Sequence, residues 1–241
     1  MTNRQAIQER RRRKKQQQRV TTVFIISGVA LIIAAVLMLP SITSALTPVG
    51  EFVQPSINPR PMANANTMGD PNAPVVIEMY SDFGCSHCGD FALGNGERIA
   101  QDYVATGQVY FIYHSAGSLL GHPNTPVAAE AAYCAGDQNK FWEYHDIIFS
   151  NQTALFLDLY AKIDKTLAAY AESLGLDMEA FNACVDSGKY SDLVKQDEVN
   201  ARQLGISSTP SFLINGTLYV GNLPYEEFQQ AIDLALTGAG K

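Results

Sequence analysis

At 241 residues and 46% hydrophobic content, the chain is long enough to bury one sizeable core and too large to be a small scaffold held by disulfides alone. Its formal net charge of −7 is split sharply. Residues 1–19 hold Arg4, Arg10, Arg11, Arg12, Arg13, Lys14, Lys15 and Arg19 against Glu9, about +7, which leaves about −14 on the remainder.

So basic a block suggests nucleic acid until its neighbour is read. Residues 20–39, Val20 to Leu39, carry no charge, have the length of a bilayer-spanning helix and are closed by Pro40. The positive-inside rule then makes residues 1–19 a cytoplasmic segment and places everything after Pro40 outside the cytoplasm, as in a single-pass cell-membrane protein with no nucleic-acid partner. A cleaved signal peptide is the alternative, but the apolar run is long for one and Thr43-Ser44-Ala45 is a weak cleavage site. Residues 40–72, with Pro48, Pro55, Pro59, Pro61 and Pro71, read as a partly extended linker, and residues 73–241 as the folded domain.

In that domain Val75 to Tyr80 is a near-continuous apolar run, as in a strand buried on both faces. Helical spacing follows from Phe91 to Val104, with Gly94 and Gly96 predicting a kink or break. Gln108 to His114 alternates, Val109, Phe111 and Tyr113 on one side and Tyr110, Ile112 and His114 on the other, which completes a β-α-β unit. Helices are expected from Asn124 to Ala135, Lys140 to Asn151, Lys162 to Leu174, Asp177 to Asp186 and Lys189 to Leu204. A helical block of that length is no ordinary crossover and must be an inserted subdomain, about 122–205. Strands Ser211 to Ile214 and Thr217 to Val220 flank Asn215-Gly216, a strong hairpin signal, and a helix from Pro224 to Thr237 follows.

All four cysteines lie beyond the apolar run. The CxxC spacing pairs Cys85 with Cys88, leaving Cys134 and Cys184 either to bridge one another or to pack as two buried free thiols. A zinc site on Cys85, His87 and Cys88 lacks the second CxxC or HxxxH that would complete four ligands, so no metal is expected. Asn151-Gln152-Thr153 and Asn215-Gly216-Thr217 match glycosylation sequons, a pattern common by chance.

The CxxC opens a helix, so Cys85 at its N-terminus meets the positive helix end and reads as the attacking thiolate; Cys88, one turn further in, reads as the resolving thiol. His87 between them is expected to favour the Cys85 thiolate and so make the disulfide more oxidising, unless it is a solvent-exposed bystander. Glu78 interrupts the apolar strand and reads either as a strand-end residue turned to solvent or as a buried carboxylate that relays protons beside the thiols. Thr209-Pro210 enters a strand where a proline is tolerated if its peptide bond is cis and that strand end faces the thiols.

The run Val75 to Cys88, with Ala129 to Phe149, Phe181 to Gly205 and Gly205 to Gly221, resembles the DsbA-like thiol:disulfide oxidoreductases of the thioredoxin superfamily. The resemblance covers roughly residues 65–238 and rests on a CxxC, a helical insertion and a Thr-Pro before a strand, in that order. It implies an α/β thioredoxin fold with an inserted helical subdomain, here preceded by the N-terminal transmembrane helix. It further implies a cis Pro210 beside the CxxC, Thr209 presenting backbone to substrate, a Cys134–Cys184 bridge and a buried role for Glu78. Ser86 departs from the Pro-His dipeptide of the namesake enzyme, although His87 is kept.

The expected function is a membrane-tethered dithiol oxidase that needs no cofactor beyond the Cys85–Cys88 disulfide, acts on exported cysteine-containing proteins and is reoxidised by a membrane redox partner, a quinone-linked oxidase. A reductase or isomerase of the same fold is the alternative. More distant is a metal-delivery module, for which His114 and His122 are the only added ligands and no methionine cluster helps.

Overall fold

The computed structural model of the chain describes residues 14–15, 21–29, 31–34, 36–37, 50–56, 58–157 and 162–239, and divides into two units, Met1–Gly50 and Glu51–Lys241. In the first unit residues 21–29, 31–34 and 36–37 are helical. Among the described residues no helix is long and apolar enough to cross a membrane. The rest of the expected span 20–39, and all of the basic segment 1–19 except Lys14 and Lys15, lie outside the described residues.

The second unit is built on a five-stranded mixed sheet of order β1-β3-β2-β4-β5: β1 (Thr67–Met68), β2 (Val75–Ser81), β3 (Val109–Ser115), β4 (Ser211–Ile214) and β5 (Thr217–Val220). Parallel β2 and β3 occupy the middle, as the apolar run of β2 requires, while β4 pairs antiparallel with β2 on its other side and with β5 across the Asn215-Gly216 turn. Asn215 does more than turn the chain. Its Oδ1 accepts from the Val76 N–H (2.8 Å) and its Nδ2 donates to the Pro74 carbonyl (3.2 Å), so the side chain of this sequon is engaged in fastening the hairpin to β2.

Between β2 and β3 runs one helical path: α1 (Ser86–Asp90), a π segment (Phe91–Asn95), α2 (Gly96–Ile99) and a second π segment (Ala100–Val104). The break expected at Gly94 and Gly96 is thus realised as wide π turns, and the path continues. Gly96 sits in the widened turn, where an added Cβ would lie 3.1 Å from the Phe91 ring. The insertion follows β3 as α3 (Thr125–Gly136), α4 (Phe141–Ser150), a π segment (Thr153–Leu157), α5 (Ile163–Ser173), α6 (Met178–Asp186) and α7 (Ser191–Gln203); α8 (Tyr225–Ala239) ends the chain.

Alternation in the strands divides the core. Ile77, Met79, Phe111, Tyr113, Phe212 and Ile214 face a large aromatic layer with Phe91, Trp142 and Phe228, whereas Tyr80 and Leu213 face Ala201 and Ile206 on the other side. Cys134 on α3 and Cys184 on α6 form a disulfide with a Cα–Cα distance of 5.9 Å, so the two helices are covalently joined and neither thiol is free. Asp177 caps α6, its Oδ1 accepting from the N–H groups of Glu179 (3.0 Å) and Ala180 (3.1 Å). Asp177→Ala is expected to cost about 1 kcal/mol in urea unfolding at an unchanged m-value.

The linker boundary at residue 72 needs correction. Thr67–Met68 is an edge strand paired with Ile112 and Phe111, and Met68 is buried. Further upstream Phe52 packs on Tyr170 at 4.7 Å between ring centroids, and Val53 exchanges two 2.8 Å hydrogen bonds with the Asn151 side chain. Arg60 is buried against Asp146, both guanidinium–carboxylate contacts at 3.0 Å. These residues show no apolar periodicity because isolated apolar contacts, backbone polar groups and one buried ion pair hold them, not a continuous hydrophobic face. The second sequon falls with the same observation: Asn151 is 7% exposed and its amide is used up on Val53 and Ile147.

Candidate active site

The strand β2 delivers its C-terminal end to a tight turn, Ser81 to Gly84, in which the Cys85 N–H donates to the Asp82 carbonyl at 3.0 Å. Cys85 then adopts extended angles (φ −85°, ψ 121°) as the cap of α1, and its own carbonyl accepts from the N–H groups of Cys88 (3.1 Å) and Gly89 (3.2 Å). Gly84 allows this turn to seat on the insertion, since a Cβ there would come within 2.8 Å of His122 and 2.9 Å of Thr125.

Across from the cap, the Thr209–Pro210 peptide bond is cis and both residues are buried. Cys85 Sγ lies 3.3 Å from the Thr209 carbonyl oxygen, to which it donates when protonated. The antiparallel register that sets Tyr80 opposite Ser211 brings the two segments together, which chain separation alone would not reveal.

The two free thiols differ in setting. Cys85 is 8% exposed and Cys88 1%. A hydrogen bond from the Cys88 thiol, followed by Thr209 and the backbone N–H groups of Cys88 and His87, holds Cys85 down to about 5 against the opposing effect of burial. Burial drives Cys88 up, and the neighbouring Cys85 adds to it; the Asp82 N–H and the Ser81 hydroxyl oppose this. One sulfur is therefore a stable thiolate at neutral pH and the other a thiol.

His87 takes the solvent-exposed alternative considered for it, and Glu78 is not the proton relay beside the thiols. The His87 side chain is 75% exposed and lies 3.8 Å from Asp90, one turn along α1; what His87 gives Cys85 is its backbone N–H. Glu78 is not a buried carboxylate beside the thiols. The strand alternation that points Ile77 and Met79 at the CxxC layer points Glu78 to the opposite face, 36% exposed and 3.3 Å from His114 Nε2. His114 Nδ1 in turn meets Asp197 at 3.0 Å, and Asp197 also accepts from Tyr133 and from the Ser115 N–H. That network ties α3 and α7 to the sheet.

The buried carboxylate near the thiols is Asp82, whose side chain is 0% exposed. It accepts from the Gly84 N–H and meets His122 Nδ1, each at 2.8 Å, and burial pushes it up from its ordinary value. Gln152, from the end of α4, was also missed: its Nε2 donates to the Phe83 carbonyl at 2.7 Å and to the Cys85 carbonyl at 2.9 Å. Asp82 had a signal, a charge between an apolar strand and a CxxC; Gln152, in a polar stretch 67 residues downstream, had none. Among the described residues no group of three or more His, Cys, Asp or Glu side chains could hold a metal ion, with His122 engaged by Asp82 and His114 by Asp197.

A family profile described as Thioredoxin matches residues 63–234. The chain is 31% identical over 170 residues to a Na(+)/H(+) antiporter NhaA 1 of Salinispora arenicola, a match that covers 70% of this chain but only 24% of that protein, so the chain spans about a quarter of its length. It is 26% identical over 171 residues to a probable disulfide bond formation protein D of Bacillus cereus, covering 70% of this chain and 78% of the relative. Among solved structures it superposes on Wolbachia pipientis α-DsbA1 with a TM-score of 0.63 at 26% identity, covering 74% of this chain and 94% of that one.

Proposed function

The chain belongs to the thioredoxin-like family and has DsbA-type proteins as structural neighbours, and from that premise we propose that it is a membrane-tethered, extracytoplasmic thiol:disulfide oxidoreductase working as a dithiol oxidase. The observation that carries this reading is the asymmetry of the two thiols, Cys85 lowered to about 5 and Cys88 raised. An oxidase must be more stable reduced than its substrates are. A thiolate this well stabilised favours the reduced form and makes the Cys85–Cys88 disulfide an acceptor of electrons.

In the proposed cycle a substrate thiolate attacks Cys85 Sγ, the Cys85–Cys88 bond breaks, and Cys88 leaves as a thiolate that takes up a proton. The substrate's second thiolate then attacks its own sulfur in the mixed disulfide, forming the substrate disulfide and releasing Cys85 as thiolate. Two electrons have passed to the CxxC, and a membrane redox partner, a quinone-linked oxidase, removes them. The Thr209 backbone beside Cys85 is not needed for electron transfer but supplies a main-chain edge for an extended substrate. Substrates in this reading are exported proteins with cysteine pairs. The tether is supported by the uncharged run 20–39 behind a basic segment, and by Phe24, Ile25, Ile26, Leu31, Ile32 and Leu37, all exposed on helical residues. The relatives named for disulfide bond formation support the same chemistry.

The test is the equilibrium potential of the full chain, purified in detergent, against glutathione. The expected value lies well above thioredoxin's, about −270 mV. A value at or below thioredoxin's overturns the oxidase reading in favour of a reductase.

A further inference from the structure

One side chain of the helical insertion holds main-chain carbonyls of the catalytic turn and of Cys85. Gln152 lies two residues past the end of α4, and its Nε2 reaches two main-chain carbonyls, Phe83 at 2.7 Å in the turn and Cys85 at 2.9 Å just after it. Two acceptors on one nitrogen fix the amide's orientation, because the flipped amide would set its oxygen against both carbonyls. A second observation points to the same contact from the opposite side. Gly89, directly after the CxxC, has room for no Cβ: one there would lie 2.6 Å from Gln152 Oε1. Gly89 has no positive φ, so its backbone would accept alanine; what excludes the methyl group is the Gln152 amide.

The neighbouring Asn151 faces the other way and grips Val53. Adjacent amides thus pin the N-terminal arm and the catalytic turn to the same end of α4. The Cys85 carbonyl held by Gln152 also accepts from Cys88 and Gly89, so three donors converge on it and fix the peptide plane that begins α1. The N–H groups of His87 and Cys88, in the same first turn, help to hold the Cys85 thiol down, and the Cys88 N–H donates to this carbonyl at 3.1 Å.

We propose that Gln152 is a positioning residue for the Cys85 thiolate, holding the Cys85 carbonyl so that the first N–H groups of α1 stay aimed at the sulfur, with Gly89 kept free of a side chain to leave that amide in place. The proposal rests on the reading of Cys85 as the attacking sulfur. Titratable groups around Cys85 are Cys88 beneath it, Asp82 and its partner His122 behind the turn, and His87 and Asp90 on the exposed side of α1. Gln152 carries no charge, so its removal acts through geometry alone.

The experiment titrates the Cys85 thiolate of the reduced full chain in detergent, by absorbance at 240 nm against the oxidised protein and by the pH dependence of alkylation. Losing the neutral hydrogen bond to the Cys85 carbonyl predicts that Gln152→Ala raises the midpoint by about half to one pH unit. The equilibrium constant for oxidising glutathione should fall three- to tenfold in step, about 15–30 mV. Gly89→Ala should raise the midpoint by a similar amount, and the double variant should shift it no further than Gln152→Ala alone. A purely structural role would lower the melting temperature and leave the midpoint where it is; an unmoved midpoint in folded Gln152→Ala overturns the proposal, as do additive shifts in the double variant. Should the wild-type midpoint itself lie near 8.5, the ordinary value for cysteine, the functional reading fails, independently of how the variants behave.

Discussion

Replacing Cys85 with alanine is expected to abolish disulfide exchange, while Cys88→Ala leaves a protein that reacts once and stops. Cys85 is the sulfur that lies against Thr209 at the edge of the site and is held as a thiolate, so nothing else in the CxxC can begin exchange. Its loss should lower the rate on a dithiol peptide by on the order of 10³-fold or more. Cys88, 1% exposed and pushed up by burial, cannot substitute for it. In Cys88→Ala the attack of Cys85 on an oxidised peptide still forms a mixed disulfide, but no resolving thiol stands beneath it, and the adduct accumulates. The variant also loses the hydrogen bond from Cys88 that contributes most to lowering Cys85, so its thiolate should appear at higher pH than in the wild type. Non-reducing electrophoresis and mass spectrometry of the adduct decide the matter: exchange retained in Cys85→Ala, or an adduct on Cys88 in the wild type, would reverse the assignment.

The different legibility of these residues in the sequence has a physical basis. Cys85 and Cys88 declare themselves because their chemistry needs a fixed short spacing along one helix turn, and β2 and β3 because alternation and unbroken apolar runs are local. Tyr113 and Val109 fell on the buried side for that reason. Glu78 misled the same logic. A charge in an apolar strand signals a partner but not which face holds it, and the partner is His114, away from the thiols. Asp82 and Gln152 act through contacts made by tertiary folding, with His122 on the loop before α3 and with carbonyls of the catalytic turn. The arm from Phe52 to Arg60 was unreadable for a related reason. Apart from Phe52 its attachment is polar, through Asn151 and Asp146, and polar attachment leaves no period in a sequence.

The second large effect is on pH. Cys85 is lowered to about 5 in the folded reduced protein, whereas an unfolded thiol titrates near 8.5. The sign follows from proton binding: between these values the unfolded state holds a proton that the folded state has released, so folding stability of the reduced form rises with pH. The contribution is fully present above the unfolded value and is lost as pH falls through about 5. At pH 7 it amounts to roughly 2–3 kcal/mol, with a slope of about 1.4 kcal/mol per pH unit across the window. Cys88 acts in the opposite sense. Its folded value is raised, so above the unfolded value the folded state keeps a proton that the unfolded state has lost, and stability falls with pH there. The oxidised protein has neither thiol, and the difference in urea stability between reduced and oxidised forms isolates the effect. The same protons govern the potential. Between pH 5 and 8.5 reduction takes up one proton for two electrons, about 30 mV per pH unit; below pH 5 it takes up two, about 59 mV. A break in the potential near pH 5 is therefore the redox signature of the Cys85 thiolate, and a single 59 mV slope from pH 4 to 8 would show that Cys85 stays protonated and that the disulfide owes no oxidising power to it.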